Sequence, residues 1–137
     1  MTSRRRLVIE AAFSLAAARL LLRLVPFRRL VWFFHLKPAG PEPPPAARAR
    51  LLADVPRAIA AATRLLPGES VCFPVAIAAL AMLRRRGVGT TLYCGAGRST
   101  ERKLHLHVWL RYGDHGVVGH ENADEFQIIA RYPEPRL

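Results

Sequence analysis

Cys72 and His107 are the two residues whose types and settings best fit covalent chemistry. Cys72 stands near the front of Ser70–Gly87, SVCFPVAIAALAMLRRRG. Pro74 suits a first helical turn, where its missing N–H costs nothing. Ala76, Ile77, Leu80 and Leu83 form an apolar stripe. Arg84, Arg85 and Arg86 put cations in the last turn, and Gly87 is a natural terminator. The pattern predicts a helix with the cysteine at its N-terminal end. A thiolate there meets unpaired N–H groups and the positive end of the helix dipole, and both lower its pKa. By itself such a cysteine is more often a small buried hydrophobe. A neighbouring base would change that reading.

Lys103–Arg111 (KLHLHVWLR) supplies the candidate base. Leu104, Leu106, Val108 and Leu110 alternate with His105, His107, Trp109 and Arg111, the period of a strand. An imidazole on a rigid strand can take the proton of a thiol on a facing helix. His105 reads as a rim residue. His107, if it is not the base, reads as a half-buried hydrogen-bonded histidine. Leu92–Gly97 (LYCGAG) is a short strand in which Cys94 packs. A Cys72–Cys94 disulfide is disfavoured in a cytosolic setting. A zinc site from Cys72, Cys94, His105 and His107 lacks the close paired spacing of known zinc motifs.

A hairpin turn over Gly113-Asp114-His115-Gly116 leads to a returning strand, Val117–Glu121. Its register decides which residue faces His107. A turn centred on Gly113-Asp114 puts His120 there, one centred on Asp114-His115 puts Asn122 there, and a three-residue loop puts Glu121 there. Asp114 belongs to the solvated tip. Phe126–Tyr132 is a closing strand.

These strands need a helical layer, and the first half of the chain supplies it. Leu7–Val25 is rich in Ala, Leu and Arg, which are strong helix formers. Leu20, Leu24 and Phe27 share a face, and Pro26 should end or kink the helix. Phe27–Leu36 is a second, aromatic-rich piece. The basic start and apolar run mimic a secretory signal, but Glu10, Arg19 and Arg23 interrupt it, and the same charges oppose a membrane span. The segment is expected to cover the core as a helical hairpin, with docking on a partner protein or a membrane surface through residues 7–36 as the sharper alternative. Pro38–Pro45 (PAGPEPPP) is a linker. Ala46–Leu66 is a further helix, which begins or kinks near Asp54 and Pro56. The expected organisation is a basic helical segment with its linker over 1–45 and a catalytic domain over 46–137.

The chain has 137 residues, with 51% hydrophobic and 23% charged, so it is one folded domain's worth of polypeptide. Two cysteines exclude a disulfide-stapled mini-fold. The net charge of +11 lies mostly in residues 1–50, which hold ten of the cations and only Glu10 and Glu42 as acids. A nucleic-acid binder would instead spread its cations over one face among aromatics.

Taken together, CFPVAIAALAMLRRRG, LYCGAG and HVWLRYGDHGVVG resemble the transglutaminase-like cysteine protease of lasso-peptide biosynthesis, a leader peptidase, over roughly residues 68–132. The resemblance implies an α+β, papain-like core with the cysteine helix packed on a small antiparallel sheet. It makes Cys72 the nucleophile and His107 the general base. The family's third residue is usually Asp, about a dozen residues past the histidine. Here His120 falls nearest that position, a departure, with Glu121 as the alternative third member and Asn122 and Asp124 close by. Val108 and Arg111 stand where the family often has Ala and Glu. No metal or organic cofactor is implied. The absence of an alternating strand pattern in residues 1–50 points to the stand-alone form of the protease. The implied partners are a precursor peptide with its leader, a separate leader-recognition protein and an asparagine-synthetase-like lasso cyclase, in the cytoplasm or at the membrane periphery. The competing expectation, from the His120 departure, is a catalytically impaired binding or scaffold protein of the same maturation complex.

Overall fold

The computed structural model describes residues 2–30, 41–66, 72–98, 104–121 and 123–132, and the side chains of residues 2, 3, 72, 98 and 104 lie outside that description. Helix α1 is Thr2–Leu24, α2 is Pro45–Leu65 and α3 is Cys72–Arg85. Strands β1 (Thr91–Arg98), β2 (Leu104–Tyr112), β3 (His115–Val118) and β4 (Gln127–Tyr132) follow, with a short 3-10 turn at Ala123–Glu125. All pairings are antiparallel, in the order β3-β2-β1-β4. The fold is α+β.

The α3 helix is the centre of the molecule. Ala76, Ile77, Ala78, Ala79, Leu80, Ala81, Met82 and Leu83 are all buried. A helix apolar on every side must be covered on every side, and α1, α2, β2 and β3 surround it. Its end follows the glycine pattern. Gly87 takes a positive φ of 82°, and Val88 N–H bonds back to the Leu83 carbonyl at 2.9 Å, closing the last turn.

Helix α1 ends just before Pro26, which cannot continue the hydrogen-bond ladder; a further helical turn covers 27–30. The buried face of α1 is Ala11, Leu15 and Ala18, while Leu20 and Leu24 are exposed. The expected Leu20–Leu24–Phe27 line is therefore not the one that meets the core, although Phe27 itself is half-buried. Ala11, Leu15 and Ala18 join the same core as α2, α3 and the sheet. The small Ala11 and Ala18 on either side of Leu15 let α1 lie close against its neighbours.

In α2, Leu52, Val55, Ala58, Ile59 and Ala62 are buried, at helical spacing. Pro45 occupies the first turn, and the helix runs on through Pro56 rather than starting at Asp54. The expected piece at 31–36 and the first three linker positions, 38–40, lie outside the described residues. Glu42, at the described end of the linker, accepts hydrogen bonds from Tyr112 Oη (2.6 Å) and Arg48 (3.1 Å), and so ties the start of α2 to the end of β2.

Glu10, which reads in the sequence as an interruption of α1, instead joins two helices. It accepts from Arg86 at 2.5 and 2.7 Å and from Arg85 at 2.9 Å. The RRRG end of α3 is thus clamped to α1. The Arg86 guanidinium, helped by Arg85, holds the Glu10 carboxyl down at a pKa of about 2 against the opposing effect of burial.

Candidate functional site

The strand period separates β2 into two faces. Leu92, Cys94, Val108 and Leu110 belong to the core shared with the helices. Tyr93, His107, Trp109 and Arg111 leave the opposite side, because β1 and β2 pair Cys94 with Val108 and Tyr93 with Trp109. Trp109 is only 3% exposed yet lies outside the helix-side core. Its burial comes from an aromatic layer on this outer face. Tyr93 and Trp109 stack at 5.8 Å with planes 7° apart. His107 stacks on Phe126 at 4.9 Å and on Trp109 at 5.8 Å. Phe126 reaches over β1 because Gly95 and Gly97 leave it room: a Cβ at Gly95 would sit 2.8 Å from both Phe126 and the Trp109 ring.

The His107 ring has a defined tautomer. Its Nε2 lies 2.7 Å from the carbonyl oxygen of Gly119. A carbonyl can only accept, so Nε2 carries the proton, and in the neutral ring Nδ1 is left as the acceptor. Gly119 has φ 73°, and a Cβ there would meet the Val108 carbonyl at 2.7 Å. Only glycine lets the chain approach β2 this closely with its carbonyl aimed at the imidazole.

The register explains why a backbone group, and not His120, holds that position. The turn is centred on Gly113-Asp114, with Tyr112 opposite His115. The pairing then shifts between Arg111 and Leu110, so that Leu110 faces Val118 and not Val117. The extra residue displaces the returning chain by one, and β3 stops at Val118. The turn is the first of the three expected, but beyond the shift the pairing has the offset that would put Glu121 opposite His107, and β3 ends before that position is reached. His120 is exposed, and its ring lies over Gly116. Glu121 and Asp124 are exposed, and Asn122 lies outside the described residues. Among the described residues, the hydrogen-bond partner of the His107 ring is the Gly119 carbonyl. Beside the aromatic layer is an open cavity of about 390 Å³, lined by Trp109, Arg111, Asp114, His120, Asp124 and Phe126 among others.

Cys72 is the first residue of α3, and its side chain lies outside the described residues. Its neighbour Phe73 packs edge-on against Phe27 at 4.8 Å, and Phe27 in turn against Tyr132. Pro74 removes one N–H from the first turn. Cys94 is a buried thiol on the helix side of β1. It therefore faces away from His105 and His107, and these groups do not assemble as a zinc set. Sequence reasoning missed the Gly119 carbonyl and the Phe126 cap. A glycine twelve positions past the histidine was the available signal for the first.

The family model of the transglutaminase-like superfamily matches residues 12–131. No curated protein and no solved structure matches the chain. The match begins inside α1 and ends in β4, so it takes in the helical layer, the cysteine helix and the whole sheet, and the chain belongs to the transglutaminase-like superfamily.

Proposed function

We propose that this protein is a cysteine peptidase that removes the leader from a ribosomally made lasso-peptide precursor before macrolactam ring closure. The superfamily includes cysteine peptidases, and Cys72 opens a helix. The observation that carries the reading is the His107 ring, whose Nε2–H is committed to Gly119 so that Nδ1 is available as a base. In this reading Nδ1 takes the Cys72 proton as sulfur attacks the carbonyl that precedes the core peptide. It returns that proton to the departing core amine, leaving the leader as a thioester. Remaining first-turn N–H groups of α3 receive the oxyanion. Water, deprotonated by Nδ1, then releases the leader as a carboxylic acid and restores the thiol. The Gly119 carbonyl sets the tautomer but stabilises an imidazolium less than a carboxylate does. His120 and Glu121, the candidate third residues, act here only by moving toward the ring when the precursor binds. The precursor would be presented by a separate leader-recognition protein and its core passed to the cyclase.

A second reading has its own support. His107 leaves β2 on the side opposite the helix layer and stacks on Phe126 and Trp109. A sulfur at the head of α3 reaches Nδ1 only if the chain entering that helix carries it to the outer face. If it does not, the protein is a binding or scaffold member of the maturation complex.

One experiment separates the two. Purified protein, precursor and leader-recognition protein are mixed and leader release is followed by mass spectrometry, alongside iodoacetamide labelling of Cys72 as pH is varied. The peptidase reading expects release that Cys72→Ala abolishes, and labelling near neutral pH that His107→Ala slows. Release that survives Cys72→Ala removes the peptidase reading. Precursor binding without release, with labelling unchanged by His107→Ala, assigns the scaffold role.

A further inference from the structure

Helix α1 has two apolar faces, and among the described residues only one is used by the fold. Ala11, Leu15 and Ala18 enter the core. On the other side Ile9, Phe13, Leu20 and Leu24 are 57%, 74%, 58% and 72% exposed. Ala16 and Ala17 between them are exposed as well. At helical spacing these side chains form one stripe, about 22 Å long at 1.5 Å per residue. A soluble domain rarely leaves so continuous an apolar line uncovered without a use for it.

The charges around the stripe say what would cover it. Arg4, Arg5 and Arg6 are exposed at one end, and Arg23, Arg28 and Arg29 at the other. The only acid in α1 is Glu10, and it is turned inward onto Arg85 and Arg86. The outward side of the helix therefore offers apolar contact in the middle and guanidinium groups at both ends, with no carboxylate of its own. Arginine forks match phosphate oxygens in pairs. A helix that lies in an interface presents this combination. No described helix is long and apolar enough to cross a membrane.

We propose that the outer stripe of α1 docks on an anionic lipid surface, with Ile9, Phe13, Leu20 and Leu24 in the acyl boundary and the flanking arginines on lipid phosphates. This inference is independent of the peptidase reading. The 137-residue chain is sedimented with vesicles of phosphatidylcholine alone and with vesicles rich in phosphatidylglycerol. Binding is expected to the second and not the first, and to weaken as salt rises. Phe13→Ser with Leu20→Ser should lower it about tenfold or more. Arg5→Ala with Arg6→Ala should lower it about fivefold for each arginine. These sites are exposed, and an unchanged thermal melt by circular dichroism confirms that the variants fold. Three results overturn the proposal: no binding to either vesicle, equal binding to both, or binding that the Phe13/Leu20 variant leaves intact. Light scattering adds a fourth: a dimer that this variant converts to monomer gives the stripe to a second copy of the chain.

Discussion

The two faces of the sheet are built from different kinds of residue and answer to different constraints. The helix-side face is aliphatic: Leu92, Val108 and Leu110 are fully buried against α3 and its neighbours. Its order follows from volume and hydrophobicity, and many sequences of the right pattern would satisfy it. The outer face carries Tyr93, His105, His107, Trp109 and Arg111. No described helix covers it, and its order depends on particular contacts: Phe126 over two glycines, Trp109 against Tyr93, and the Gly119 carbonyl on His107. The division implies that stability resides mainly on one side of β2, while the proposed base, His107, stands on the other.

The strongest way to break this comparison is to empty the helix side. Leu110 is 0% exposed in the shared core. Leu110→Ala should cost about 2–5 kcal/mol in urea unfolding, through lost transfer energy and the cavity left behind. A loss below about 1 kcal/mol would mean that the core relaxes into the gap and that the helix side is not the rigid partner. The outer face is tested by adding atoms. Gly95→Ala puts a Cβ 2.8 Å from Phe126 and Trp109. Overpacking of that kind costs about 1–3 kcal/mol, and here it should lift Phe126 off His107. Tryptophan fluorescence of Trp109 should report the disturbance. Wild-type fluorescence and stability in the Gly95→Ala protein would show the aromatic layer to be loose.

Much of this division is legible in the sequence, and the misses have physical causes. The limits of α3 follow from Pro74 and Gly87, because each has one backbone role that suits a helix end. The alternation of β2 separates its faces cleanly. That alternation also sends the imidazole of His107 to the face away from the helices, against the expectation that it meets a thiol on a facing helix, because the aliphatic side of the strand must take the helices. The register of β3 is different. The residue inserted between the partners of Leu110 and Arg111 changes no local pattern, yet it shifts His120 out of the position opposite His107, and the positive-φ turn at Gly119, not the strand pairing, brings a carbonyl to the ring. In α1, periodicity shows two apolar stripes, and hydrophobicity alone favours the bulkier one. Close packing against α2 and α3 selects Ala11, Leu15 and Ala18 instead. Glu10 reads as an interruption until the end of α3, more than seventy residues away, is brought beside it.

That clamp offers the smallest of the expected effects and sharpens the comparison on the helix side. Glu10 has a folded pKa of about 2, below its ordinary 4.5, because Arg86 and Arg85 donate to its charged form. A carboxylate with a depressed pKa stabilises the fold fully above the unfolded value. That contribution is lost as pH falls from about 4.5 toward 2. The carboxylate is 30% exposed, so its contribution is well short of full linkage, at about 1–2 kcal/mol. Glu10→Gln should therefore lower stability by about that amount at neutral pH. It should also flatten the acid limb between pH 4.5 and 2 relative to wild type. Guanidinium melts across this range measure both. An equal acid limb in the two proteins would show that α1 is held by Ala11, Leu15 and Ala18 alone, and that the helix layer needs no ion pair to cover α3.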